Sequence, residues 1–143
     1  MRILIYTFMI ELFYSFTDDV LAIRTWLAIY GMNETEFVSI KPMVVDIIAG
    51  ITNSSESTID VQYLPYLYNT EVTVRPADKS HSKYVLSKME DRAFFRHEIN
   101  SGIQNQTNGS NLTVSLVDHP ISIPGLRIYV EISLKCHIIL RHK

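Results

Sequence analysis

Asp118 and His119 are adjacent side chains whose types could carry out acid–base chemistry. They lie in the segment DHPISIPG, where the prolines predict a loop. A carboxylate beside an imidazole can orient it as a general base. A turn Asp next to an exposed His is the simpler interpretation, and we favour it.

The other histidines and the cysteine form no recognisable chemical site in the sequence. His97 and Glu98 are neighbours on a predicted helix, so their side chains point in different directions. Cys136 falls on the inward side of a predicted strand, which favours a small core residue over a nucleophile. No His-Glu-x-x-His pair, P-loop, Gly-x-Ser-x-Gly or dinucleotide fingerprint occurs. We therefore expect no catalytic residue, metal ligand or cofactor, and a protein that is not an enzyme.

Two kinds of side chain could bind a macromolecule. Arg92 and Arg96 would share a helix face, but acidic residues interleave with them and the net charge is −2, so we expect no specific nucleic acid partner. Tyr63, Tyr66 and Tyr68 surround a proline and are candidates for protein contact, because tyrosine gives a large contact area at small entropic cost. Packing in the core is the alternative use of these tyrosines.

Five Asn-x-Ser/Thr sequons raise the question of secretion, because such sites are glycosylated only in a secretory compartment. The N-terminal MRILIYTFMIELFYSF has an apolar run, but Glu11 interrupts it. The only small-residue pair with cleavage spacing, Ser15 and Thr17, is a poor version of the usual Ala-x-Ala site. A membrane span needs about 20 apolar residues, more than this run supplies. We expect a buried helix over residues 3–16, with a leader as the alternative, and no membrane span. The sequons are Asn33, Asn53, Asn105, Asn108 and Asn111.

Composition favours an ordered protein outside the secretory route. Hydrophobic residues make up 47% of the 143 positions and charged residues 20%, which excludes disorder and suits one domain, residues 1–143. Small secreted domains usually contain several disulfides, whereas this chain has a single cysteine. We therefore expect unmodified sequons, and a location in a virion or in the cytoplasm of the producing cell.

Alternating apolar residues predict four strands in two β-hairpins. The clearest run is LRIYVEISLKCHIIL, Leu126 to Leu140, where every even position is apolar. Such a strand would reach roughly 50 Å, far beyond the usual length. It is expected to pair with NLTVSLV across the DHPISIPG loop, and TIDVQYL is expected to pair with TEVTVR.

Helix signals fill the remaining segments. TDDVLAIRTWLAIYG has Thr17 as a potential N-cap and Gly31 as a terminator. KPMVVDIIAG can be a helix that ends before Gly50 or a buried strand, and we favour the helix. SHSKYVLSKMEDRAFFRHEINSG predicts one helix that starts at Ser80 or Ser82 and stops at Gly102. Its expected buried face is Val85, Leu86, Met89, Ala93 and Phe94.

The resulting fold class is α+β, with a four-stranded mainly antiparallel sheet from two β-hairpins and two or three helices packed on one face. The order helix, hairpin, helix, hairpin, with a long terminal strand, resembles that of tailed-phage tail terminator and related neck proteins. The segments that carry this resemblance are TDDVLAIRTWLAIYG, TIDVQYL/TEVTVR, SKYVLSKMEDRAFFRHEI and NLTVSLV/LRIYVEISLKCHIIL, spanning residues 17–140. The resemblance implies a ring subunit at a head-to-tail junction and transfers no functional residue.

We therefore expect a non-enzymatic structural or assembly subunit, a virion component such as a phage tail or neck protein, whose partners are copies of itself and other structural proteins. Ile138 and Ile139 are apolar on both strand faces, just before Arg141, so residues 136–143 are expected at an intersubunit contact. The alternative is that residues 3–16 cover Ile139 within the same chain. Two other functions stay open: a secreted or surface glycoprotein that binds a ligand or receptor, and a small enzyme that uses the Asp-His pair.

Overall fold

The computed structural model describes the backbone of residues 2–140 and the side chains of residues 19–125. The chain divides into two compact units, one formed by Met1–Asp18 with Gly125–Lys143 and the other by Asp19–Pro124. The elements in chain order are β1 (Arg2–Tyr30), α1 (Glu34–Thr52), a 3-10 turn (Glu56–Thr58), β2 (Ile59–Tyr63), β3 (Thr70–Val74), α2 (Lys79–Glu90), α3 (Arg92–Thr107), β4 (Thr113–Val117) and β5 (Ile121–Leu140).

The sheet has the order β2-β3-β1-β4, and β5 also pairs with β1. The pairs β2/β3, β1/β3 and β1/β4 are antiparallel. Leu27 of β1 therefore faces Thr70 of β3 on one edge and Val117 of β4 on the other. With α1 connecting β1 to β2, and α2 and α3 connecting β3 to β4, the unit has the split βαβ arrangement of ferredoxin-like folds.

The core lies between one face of this sheet and the helices. Ile23, Leu27 and Ile29 alternate along β1 and are buried. Helix residues such as Val44 and Ile99 complete the same cluster. The predicted α+β class, with helices on one face of an antiparallel sheet, is confirmed, although the sheet has five strands.

The helix predicted for TDDVLAIRTWLAIYG is wrong, and so is the helix over residues 3–16, because both segments belong to β1. Apolar residues in the first segment fit helical spacing, and they fit alternation equally well once Thr25 is counted on the inner face. Thr25 is fully buried, and its hydroxyl donates to the carbonyl of Asp118 at 2.8 Å. A polar residue at an inward position concealed the strand pattern.

The single helix predicted after β3 is also wrong, because the chain forms α2 and α3 with a break at Asp91. The carboxylate of Asp91 accepts from the backbone N–H of Phe94 at 3.1 Å and so starts a new helix. Val85 and Met89 are buried as expected, and Leu86 is partly buried. Beyond the break, Phe95 is buried and Phe94 is 37% exposed. Ala93 is exposed as well.

Helix ends differ from the predicted ones. The helix favoured for KPMVVDIIAG is confirmed, but α1 is longer and begins after an Asn33 capping box. Gly50 and Gly102 lie inside helices, and Asn53 and Asn108 end them in the left-handed conformation. The cap of α2 is Asp78, not a serine. Asparagine tolerates the left-handed conformation, so the helix ends at Asn53 and Asn108 do not require glycine.

The first predicted hairpin, β2 with β3, is confirmed. The second is wrong, since β4 and β5 each pair with β1 in the described sheet. The strand expected over Leu126 to Leu140 is confirmed within β5, but the side chains that define its two faces lie outside the described residues.

The two helical glycines give a matched test of helix packing. A Cβ at Gly102 would lie 2.8–2.9 Å from three side-chain carbons of Ile47, whereas a Cβ at Gly50 meets nothing within 4 Å. We expect Gly50→Ala to raise the free energy of unfolding by about 0.5–1 kcal/mol. Gly102→Ala should lower it, because overpacking costs about 1–3 kcal/mol. Urea denaturation of both variants measures this, and equal stabilisation would contradict the α1–α3 contact.

The break at Asp91 predicts opposite roles for two adjacent phenylalanines. Phe95→Ala should lower the free energy of unfolding by about 3–5 kcal/mol, because it leaves a core cavity. Phe94→Ala should cost about 0.5–1 kcal/mol, since Phe94 is 37% exposed and Nζ of Lys88 lies 5.1 Å from its ring centroid. Thermal denaturation of the two variants compares their losses of stability. A larger loss for Phe94→Ala than for Phe95→Ala would contradict the break at Asp91 and favour one continuous helix.

Candidate protein-interaction site

Three large side chains form an exposed cluster, which we call the Tyr66 patch: Tyr30, Tyr66 and Leu67. Their exposed fractions are 74%, 72% and 74%. They line one surface depression of about 310 Å³ together with Ile29 and Met32. Exposed apolar side chains that lie together are more informative than single ones, because grouped exposure is typical of contact sites.

Two chain reversals bring the patch together. Tyr30 is the last residue of β1, and Gly31 then turns the chain with a φ of +82°. Tyr66 and Leu67 lie in the β2–β3 connection, which is closed by a hydrogen bond from the backbone N–H of Leu64 to the carbonyl of Asn69 at 2.8 Å. The patch therefore lies where the end of β1 meets the β2–β3 connection.

The side chain of Asn69 fastens the connection to β1. Its Oδ1 accepts from the backbone N–H of Ile29 at 2.9 Å, and its Nδ2 donates to the carbonyl of Ile29 at 2.8 Å. β3 starts only at Thr70, so this amide supplies the pairing that β1 would otherwise lack at Ile29.

Asn100, on α3, makes the same pair of hydrogen bonds to the backbone of Val114 in β4. Its Oδ1 accepts from the backbone N–H of Val114 at 2.7 Å, and its Nδ2 donates to the carbonyl of Val114 at 3.1 Å. Val114 is the register partner of Ile29. Asn69 thus satisfies the N–H and C=O of Ile29, and Asn100 satisfies those of its register partner Val114. The β1–β4 register shifts beside this pair, between Ala28 and Ile29.

The sequence candidates for protein contact separate into three groups. Tyr66 belongs to the patch. Tyr63 is partly buried beside Phe37, with ring centroids 5.7 Å apart, and Tyr68 is partly buried too. The side chains of Ile138, Ile139 and Arg141 lie outside the described residues. Sequence reasoning missed Tyr30 and Leu67 as exposed residues; Tyr30 lies in TDDVLAIRTWLAIYG, the segment for which a helix was wrongly predicted.

Asp118 and His119 lie in the connection between β4 and β5. Oδ1 of Asp118 accepts from the backbone N–H of His119 at 2.8 Å, and His119 is exposed. The bond goes to the main chain rather than to the imidazole ring.

His81 joins two helix ends beside a second depression of about 480 Å³. Its Nδ1 accepts from the backbone N–H of Ala77 at 3.0 Å, so Nε2 carries the proton and donates to the carbonyl of Thr52 at 3.0 Å. Both ring nitrogens are therefore used in structural hydrogen bonds.

In the described part of the chain, no group of three or more His, Cys, Asp or Glu residues could hold a metal ion.

Two basic residues on α2 and α3, Lys88 and Arg96, make contacts within the protein. Arg96 donates from Nη1 to the carbonyl of Ser115 at 3.3 Å. Nζ of Lys88 lies 5.4 Å from the Tyr84 ring centroid and 5.1 Å from that of Phe94.

None of the described helices has both the length and the hydrophobicity needed to cross a membrane.

The fold and these surfaces define an α+β protein of ferredoxin-like topology with an exposed aromatic patch. Comparisons with protein-family models, curated proteins and solved structures found no significant match to this chain. Since this topology supports many unrelated functions, function has to be argued from the surfaces themselves.

Asn69→Asp tests the side-chain pairing that holds the patch. The change keeps the shape but replaces the donor by a carboxylate oxygen facing the carbonyl of Ile29. We expect a loss of about 1–3 kcal/mol in the free energy of unfolding, the cost of unsatisfied buried polar groups. Asn111→Asp, at an exposed position, is the control and should change stability little. Equal stability of the two variants in urea would exclude a structural role for the Asn69 amide.

Proposed function

We propose that this chain is a non-enzymatic protein that binds other proteins as a structural or assembly subunit. The Tyr66 patch is the observation that carries the proposal. Its three large side chains are each more than 70% exposed, while the core residues of the same sheet are buried. Aromatic residues are enriched at protein contacts, and their amphipathic rings tolerate water before the partner binds.

The expected partner is a second copy of the chain, together with other structural subunits. Covering a large apolar side chain contributes about 1.5–3 kcal/mol, so a few such residues can dominate a contact. The Asn69 amide also ties the β2–β3 connection to the end of β1, and holding the two parts of the patch together lowers the entropy lost on binding.

A virion component such as a phage tail or neck protein is the particular assembly that we propose, located in the virion or in the cytoplasm of the producing cell. Its support is the order of the later elements, β2/β3, the helical segment and the long β5. The segment expected as the first helix is part of β1, so the proposal depends on the patch more than on that order.

A secreted or surface glycoprotein that binds a ligand or receptor is the second candidate. Its support is that all five sequon asparagines are exposed. The patch would then contact the ligand rather than a neighbouring subunit. The intact mass of the protein from its natural source separates the candidates, because attached glycan requires the secretory route.

Leu67→Asp should abolish self-association through the patch. The added charge would be buried without a counter-charge in the contact, so the weight-average mass should fall to that of one chain. The control is Val38→Asp on α1, where the wild-type residue is 73% exposed but does not line the patch. Light scattering over a concentration series measures the mass. A wild-type monomer at all concentrations, or an unchanged Leu67→Asp oligomer, would contradict self-association through the patch.

A further inference from the structure

We propose that Asn33, Asn53 and at least one asparagine of the segment 105–111 carry N-linked glycans. This inference rests on the second candidate function, the secreted or surface glycoprotein, and deepens it. Occupied sites would exclude the cytoplasmic setting, because N-linked glycans are attached in a secretory compartment. The inference is based on the asparagine side chains and not on the Tyr66 patch.

The sequence is enriched in sequons relative to its content of Asn, Ser and Thr. It contains 7 asparagines, and 5 of them begin a sequon. Ser and Thr occupy 23 of 143 positions, so about one of the seven asparagines would have a hydroxyl residue two positions later by chance. Richness in polar turn residues therefore does not account for the number observed.

Asparagines with and without the sequon also differ in solvent exposure. All five sequon asparagines are exposed, whereas Asn69 and Asn100, which lack the motif, are only partly exposed. A glycan needs open space around the attachment atom, because it is large and hydrated. The described fold supplies that space at every sequon.

The attachment atom itself makes the clearest difference. In Asn69 and Asn100, Nδ2 donates to a backbone carbonyl of the sheet. Among the described residues, no sequon asparagine uses Nδ2 in a hydrogen bond; Asn33 uses only Oδ1, which accepts from the backbone N–H of Glu36 at 2.9 Å. A glycosylated amide keeps Oδ1, so the Asn33 cap of α1 survives modification.

The reaction is a transfer of an oligosaccharide from a polyprenyl-pyrophosphate donor. The Asn Nδ2 forms a bond to the anomeric carbon of the first sugar and loses one proton. The bond between that carbon and the pyrophosphate oxygen breaks, and the polyprenyl pyrophosphate leaves with the bonding electrons. No oxidant or reductant is needed, and the donor and its transferase belong to the secretory compartment.

Peptide mapping of the protein from its natural source tests the proposal. Enzymatic removal of N-glycans in ¹⁸O water converts each occupied Asn to ¹⁸O-labelled Asp. We expect the label at Asn33, at Asn53 and within 105–111, with Asn69 and Asn100 as internal controls that stay unlabelled. Unlabelled asparagine at all five sequons would overturn the proposal, and absence from any one of the three places would overturn it for that site.

Paired variants remove the ambiguity of folding at Asn33. In the full chain produced through the secretory route of a eukaryotic cell, Thr35→Ala should remove one glycan while leaving the Asn33 cap in place. Asn33→Gln should remove the same glycan and also lower the melting temperature. An unchanged glycan mass in Thr35→Ala would overturn occupancy of Asn33. The Leu67→Asp experiment is independent of these results, so failure of the patch and failure of the glycan sites are distinguishable.

Discussion

The sheet depends on the pairing of β1 along both edges. β1 pairs with β3 from Ile23 to Leu27 and with β4 from Leu27 to Tyr30, so the two neighbouring strands satisfy backbone N–H and C=O groups on its two edges. The side chains of Leu27 and Ile29 on β1 are buried in the cluster that the helices complete. Where the neighbouring strands no longer supply partners, Asn69 and Asn100 do so with side-chain amides. Helices, turns and the Tyr66 patch are all positioned relative to this strand.

The two faces of the sheet contribute differently. The inner face is apolar and packs against α1, α2 and α3. On the outer face, Glu71 accepts from Nε1 of Trp26 at 3.1 Å and lies 3.4 Å from Nε of Arg24. Partly exposed ion pairs of this kind contribute at most about 1 kcal/mol, so we attribute most of the stability to the inner face. The outer pairs instead fix the register of β1 against β3.

Besides the N-cap at Asn33, asparagine has two further uses in this chain. Asn69 and Asn100 replace missing strand partners, which requires both amide atoms. Asn53 and Asn108 adopt a left-handed backbone at helix ends, and both residues are exposed. Structure and modification are compatible at these positions and do not compete.

The sequence by itself determined the α+β class, the β2/β3 hairpin, the central part of α1 and the existence of β5, because these segments have one dominant period or clear turn residues. Only the tertiary structure decided that TDDVLAIRTWLAIYG is a strand, since its apolar residues satisfy both periods and pairing on two edges outweighs local helix preference. It also decided the break at Asp91, where capping competes with continuation of the helix. The Tyr66 patch could not be predicted either, because it joins Tyr30 to Leu67 across the sheet, and proximity of distant residues follows from strand order rather than from local sequence.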